Sequence, residues 1–436
     1  MKRMKWLVLV AAFAMVVAAC GDDDDTGTTI ESGSLEGTSV SIFGAFTSIE
    51  ADAVNAVIDE KFNGPTGAEA FYEGSESFEE QVKIRVDGGN APDIALYPQP
   101  GSVVEQAAAG EAIALEDLGF TLDELNATFG EYLVGLGEFE GKHYGIPTNT
   151  NSKSLVWYNL PVFEDQGYDT PGTWDELTAL SDQMLTDGFT PWCIGTGSEA
   201  ATGWPATDWM EDIMLRTAGA DVYDQWVDHS IPFNDPAVLR AAGLFQDVWG
   251  TEGYVLGGAA TIPDIDFRDS PDPMLADPPG CLMHRQASFI VNFFPEGSVV
   301  GTDVDLFAFP DIDEGVKGSL IAGELGAVFD DRPEVRAFIR SFISTDVQCT
   351  MGAQEGVSRI SPNVNTSADC YADPVVATIA GSILDALRAG GARFDASDLM
   401  PSEVGSGSFW TGMNEWMRGD ALEDVFQDIE DSWPAG

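Results

Sequence analysis

The sequence predicts an α/β fold built on mainly parallel sheets, and three observations carry that expectation. Short β-branched runs alternate with amphipathic stretches of helical period through the first third of the chain. The pattern breaks near Gly141-Lys142-His143-Tyr144-Gly145-Ile146-Pro147, where a turn leads into an apolar strand and the chain is expected to cross between lobes. The last third reads as mainly helical, and no internal repeat is present.

Before the first element lies a leader. Lys2, Arg3 and Lys5 precede the apolar run Trp6 to Val17, which is short for a bilayer span. Val17-Ala18-Ala19-Cys20 then resembles a bacterial lipobox, so residues 1–19 are expected to be a lipoprotein signal peptide with lipidation at Cys20. The bland alternative is an ordinary secretory signal with an incidental cysteine. Residues 20–37 carry Asp, Thr, Gly and Ser with few apolar residues, the composition of an acidic flexible tether.

Thr38 to Phe43 alternates and is β-branched, which predicts a strand; Ile49 to Phe62 is amphipathic and predicts a helix. Ala70 to Tyr72 is a second strand, Phe78 to Val86 a helix closed by Gly88-Gly89, and Pro92 to Tyr97 a third strand. Val103 to Ala109 follows as a helix. Beyond the crossing, Ser154 to Asn159 is an apolar strand. Thr173 and Glu176 stand at capping-box spacing ahead of another helix. Later strands are expected over Ala287 to Phe294 and Val304 to Phe309, and helices over Pro333 to Ile343, Trp410 to Met417 and Ala421 to Ile429.

Composition narrows the function. With 73 acidic and 20 basic residues the formal charge is −53. Such a surface lacks the basic footprint that nucleic acid requires, and it does not steer anionic lipids or substrates toward the protein. Arg outnumbers Lys, a balance similar to that of proteins from salty habitats, where screening eases self-repulsion. Besides Cys20 there are four cysteines: Cys193, Cys281, Cys349 and Cys370. An exported chain can oxidise them in any of three pairings. The short Cys349–Cys370 loop, worth about 3 kcal/mol in the chain-entropy model, favours that pair with Cys193–Cys281, against four unpaired buried thiols.

Catalytic and metal motifs are weak. Gly195-Thr196-Gly197-Ser198-Glu199-Ala200 fits a dinucleotide pattern, but it lies far from the first strand–helix–strand unit and Pro205 follows closely. His143, His229 and His284 are widely spaced, and no nucleophile elbow, zinc helix or P-loop occurs. Asp264, Asp266, Asp269 and Asp272 could offer oxygen ligands to calcium, although a solvated acidic loop is the simpler reading. Carboxylate pairs of the glycosidase kind arise by chance among so many acids, and no spacing singles one out. Neither a cofactor, a metal nor an enzymatic activity is therefore expected.

The stretch Thr202 to Met214, TGWPATDWMEDIM, points elsewhere. Pro205 suits a first helical turn, and Trp209, Met210, Ile213 and Met214 form an apolar stripe. Trp204 is off that stripe and shares a side of the turn with Asp208. Other aromatics stand beside acids or amides at expected strand ends and helix starts: Phe46 with Glu50, Tyr97 with Gln99, then Phe294 and Trp410. Aromatic plates suit the C–H face of a sugar, while carboxylates and amides take its hydroxyls.

In order along the chain, GAFTSIEA, GGNAPDIALYPQPG, GKHYGIPTNTNSKSLVWYN, TWDEL, ATGWPATDWMEDIMLR, PPGCLMHRQASFI and AGELGAVF resemble extracellular solute-binding proteins of carbohydrate ABC transporters, in the maltose and α-glucoside group. The resemblance implies a two-lobed periplasmic-binding-protein fold of type II, with crossovers at a hinge. The first lobe would comprise 38–147 and 305–362, and the second 148–304 and 363–436. It further implies a monomeric receptor that captures a di- or oligosaccharide in an interlobe cleft and delivers it to ABC permease transmembrane subunits. Glu50, Gln99, Trp204, Asp208, Phe294, Glu324 and Trp410 would line that cleft. A secreted glycosidase, or a receptor for another solute such as a glycerol phosphate or a polyamine, is the competing expectation.

Overall fold

The computed structural model describes residues 33–354 and 357–434. The expected signal peptide, Cys20 and most of the tether lie outside them. Strands β1 (Ser39–Gly44), β2 (Glu69–Gly74) and β3 (Ile94–Tyr97) are joined by helices α1 (Ser48–Ile58) and α2 (Phe78–Asp87), with α3 (Pro100–Ala109) after β3. β1 pairs in parallel with both β2 and β3, as the strand–helix alternation requires. Val40 and Ile42 turn inward from β1, opposite Ala70 and Tyr72 of β2.

Beyond a small hairpin at 138–143 the chain enters β4 (Gly145–Ser152) and β5 (Leu155–Asn159). Later strands are β6 (Met283–Arg285), β7 (Val304–Ala308), β8 (Ser319–Val328) and β9 (Ala392–Phe394). The first sheet runs β9-β8-β3-β1-β2, with β4 along the other edge of β8. β8 is antiparallel to β3 and to β4, and its register against β4 shifts between Glu324 and Leu325. The second sheet is β6-β5-β7. All its pairs are antiparallel, which corrects the expectation of a mainly parallel sheet in each lobe. β5 finds both partners in distant segments that run back along it, not across helical crossovers.

Only Lys153 and Ser154 separate β4 of the first sheet from β5 of the second. Both are pinned to β8: Lys153 N–H donates to the Leu320 carbonyl at 2.9 Å, and Leu320 N–H donates to Ser154 Oγ at 2.8 Å. β7, expected with the first lobe, pairs instead in the second sheet. The segment 374–394, expected with the second lobe, packs on the first. There β9 pairs with β8, while Val376, Ile379 and Ile383 join the core that contains Val40 and Ile94.

Helices α4 (Trp174–Asp187), α5 (Trp204–Thr217), α6 (Pro236–Trp249), α7 (Pro333–Phe342), α8 (Pro374–Arg388), α9 (Trp410–Arg418) and α10 (Leu422–Asp431) make the remaining layers. Thr173 and Glu176 form the capping box of α4. The stripe on α5 is core: Trp209, Met210, Ile213 and Met214 are buried, each worth up to about 1.5–3 kcal/mol. The expected strand over Ala287 to Phe294 is instead a 3₁₀ segment, Ser288–Phe293. Ladder pairing stops at Arg285, and the 3₁₀ segment brings Phe289 and Phe293 to the cleft without Val291, which strand geometry would set on the same face as both. Disulfides join Cys193 to Cys281 and Cys349 to Cys370. Among the described residues, no helix is long and apolar enough to cross a membrane.

Candidate functional site

A cleft of about 950 Å³, counted to its open mouth, lies between the two sheets. Local chemistry brings side chains to it from both sides. Glu50 sits in the first turn of α1, where a helix N-terminus favours a carboxylate. Its Oε1 accepts from Asn292 Nδ2 across the cleft at 2.9 Å. Burial is the main reason its carboxyl is pushed up to about 7, against the pull of Asn292 and Arg359. Gln99 precedes α3 and donates weakly to Glu79 at 3.4 Å.

Glu324 lies at the β8 register shift, an irregularity of the kind that re-aims a side chain at a site. A Cβ on the preceding Gly323 would lie 2.2 Å from the Asn149 carbonyl, so only glycine allows β4 to approach this closely. Burial, opposed by Arg359 at 3.5 Å and reinforced by Glu50, raises the Glu324 carboxyl to about 8.

The opposite wall is aromatic. Trp204 begins α5, with Phe267 edge-on at 5.0 Å and Phe289 at 6.0 Å between ring centres. Gly203 adopts φ 122° there; a Cβ would lie 2.2 Å from the Trp410 carbonyl. Trp410 starts α9 after a π-helical segment and donates Nε1–H to Ser397 Oγ at 3.1 Å. At the mouth Arg268 Nη1 and Glu76 Oε1 pair at 2.5 Å, joining the two sides.

Of the residues expected at the cleft, Glu50, Gln99, Trp204, Glu324 and Trp410 line it together. Asp208 does not. It lies behind Lys153, outside the lining and fully buried, with Lys153 at 2.8 Å and Arg285 at 3.1 Å. Residues Pro205 to Arg216 of α5 are all buried, so the turn has no solvated side for Trp204 and Asp208 to share. Phe294 also lies outside the lining; it packs against Trp157 at 5.5 Å, and Phe289 and Phe293 take the cleft positions.

Sequence reasoning missed Lys153, Arg268 and Arg359. The first had a faint signal, a lone cation opening an apolar strand. The other two sit in segments whose fold neighbours are remote in sequence. Asp208, Glu211 and Asp395 bring carboxylate oxygens within 4.8 Å of one another, but the Lys153 ammonium bonds two of the three and fills the role of a cation. In the acidic loop, Asp264 pairs with Arg418 and Asp266 accepts from the Arg268 N–H, so these two carboxylates turn to separate partners.

Residues 47–262 match the family model for bacterial extracellular solute-binding proteins. The chain is 41% identical to the alpha-glucosides-binding periplasmic protein AglE of Rhizobium meliloti, over 92% of this chain and 88% of that one. It is also 41% identical to the osmoprotective compounds-binding protein GgtB of Synechocystis, over 86% of this chain and 87% of that one. Among solved structures, a chitin oligosaccharide binding protein superposes with a TM-score of 0.74 at 20% identity, covering 90% of this chain and 97% of that one. The two-lobed α/β binding-protein fold is thereby shown.

Proposed function

This chain belongs to the bacterial extracellular solute-binding proteins, and from that premise we propose that it is the receptor of an ABC importer for a neutral di- or oligosaccharide, with an α-glucoside as the leading candidate. One observation carries the reading: a single cleft has Trp204, Phe267, Phe289, Phe293 and Trp410 on one wall, and Glu50, Gln99, Glu324 and Asn151 beside Phe46 on the other. That division matches a sugar's apolar face and hydroxyl edge. Closure around the ligand removes water, and a misfit sugar strands buried polar groups at about 1–3 kcal/mol each. The receptor binds and releases without turnover, hands its sugar to the permease, and is held at the membrane by a lipid on Cys20.

A second reading has its own support. The similarity to GgtB is as high as that to AglE, so an osmoprotective compound is the alternative ligand.

The test is a thermal-shift panel of maltose, maltotriose, trehalose, sucrose, cellobiose, glucose, glycerol phosphate and spermidine. Binding to the native state alone raises the melting temperature. A rise with an α-glucoside supports the proposal. A rise with spermidine or glycerol phosphate alone overturns the sugar class, and reducing sugar released from maltodextrin overturns the receptor.

A further inference from the structure

Lys153 occupies an unusual place. It is one of the two residues between the sheets, it is 5% exposed, and it lines the cleft beside Trp204. Its ammonium donates to Asp208 Oδ1 at 2.8 Å and to Asp395 Oδ2 at 2.7 Å. An ammonium carries three donors. Among the described residues the third meets no oxygen acceptor, and the nitrogen lies 4.6 Å from the centre of the Trp204 ring. Asp395 in turn accepts from Ser397 Oγ at 2.8 Å, and Ser397 Oγ accepts from Trp410 Nε1. One hydrogen-bonded chain thus links Lys153 to Trp410, while the cation packs on Trp204.

The charge is balanced before any ligand arrives. Burial opposes the ammonium, yet the two carboxylates outweigh it and hold the lysine well above its ordinary value. Asp208 is shared with Arg285, and Asp212 beside it pairs with Arg285 and Arg216. A phosphate or carboxylate entering the cleft would therefore meet two cations already spoken for, Lys153 by Asp208 and Asp395 and Arg268 at the mouth by Glu76. A hydroxyl oxygen asks only for a donor.

We propose that Lys153 is a specificity-determining residue of the cleft, donating its remaining N–H to one hydroxyl of a neutral polyhydroxylated ligand held at Trp204, and giving no advantage to an anionic analogue. The assignment rests on the sugar reading above and names a residue and a selectivity that reading does not contain.

The experiment is calorimetric titration of the mature chain with maltose, trehalose and sucrose, then with the monodeoxy derivatives of whichever binds and with its phosphate ester. It is repeated on Lys153→Met/Asp395→Asn, which removes one charge of each sign and leaves Ser397 an acceptor. In the wild type, one deoxy position is expected to lower affinity 10- to 100-fold, and in the double variant that loss disappears while losses at other positions persist. An unchanged deoxy profile overturns the assignment and leaves the sugar receptor standing, as does a phosphate ester that binds tenfold tighter than its parent. If the wild type binds none of the three, nor maltotriose or cellobiose, the functional reading fails and the assignment falls with it. Should the double variant not fold, Lys153→Arg retains both ion pairs and displaces the donor; the same single deoxy position must then change, and a profile equal to the wild type overturns the proposal.

Discussion

Replacing Glu324 with Gln should change how stability depends on pH more than it changes stability at low pH. Burial lifts this carboxyl from 4.5 to about 8, with Arg359 opposing and Glu50 adding to the rise. The folded protein therefore holds the proton more tightly than the unfolded chain does. Stability from this group is present below the unfolded value and declines as pH rises from about 4.5 to 8. Carried through, a displacement of that size is equivalent to at most ~5 kcal/mol above pH 8. Gln also removes the like charge that helps to raise Glu50, so about 2–4 kcal/mol is the working expectation. Urea unfolding of both proteins without ligand, from pH 5 to 8.5, measures it. The wild type should lose that much relative to Glu324→Gln across the range. Parallel curves, within about 0.5 kcal/mol, would refute the argument and mean that Glu324 stays ionised beside Arg359.

Trp204→Ala should weaken sugar binding at least tenfold in a titration, and it should also cost about 1–3 kcal/mol in unfolding, because the ring packs on Phe267 and Phe289 as well as facing the cleft. Gly203→Ala should destabilise by more than ~1 kcal/mol in thermal unfolding, since φ 122° and the Trp410 carbonyl both exclude a methyl group. Cys193→Ala/Cys281→Ala should lower unfolding free energy by about 2–5 kcal/mol, as the bridge closes a separation of 88 residues; an unaltered urea midpoint would show that the bond adds nothing. Thr173→Ala, which removes the α4 capping box, should cost about 1 kcal/mol by the same measurement.

Local chemistry was legible in the sequence where one segment carried its own explanation. β1 announced itself by alternation, α4 by Thr173 and Glu176, and the α5 core by the spacing of Trp209, Met210, Ile213 and Met214. The cleft was legible as far as turn positions go, hence Glu50, Gln99, Trp204, Glu324 and Trp410. Asp208 was misplaced because a polar stripe on a helix reads the same whether it faces water or a buried partner. Here the partners are Lys153 and Arg285, 55 and 77 residues away in sequence. The run SFIVNFF misled for a related reason: a short apolar run has no period long enough to separate strand from helical turn. Phe294 is expected at the cleft as the end of that strand, whereas the 3₁₀ segment brings Phe289 and Phe293 there.

The two-residue passage from β4 to β5 has a kinematic consequence. Two residues reach about 7 Å at full extension, and the backbone of Lys153 and Ser154 is further tied to Leu320. At that point the sheets can turn about each other but cannot draw apart. Displacement on opening must then grow with distance from the passage, smallest at Lys153 and largest at the rim, where Arg268 meets Glu76. The floor around Lys153 is therefore the part of the cleft that changes least on opening, while the walls that carry Glu50 and Trp204 are what must come together on the solute.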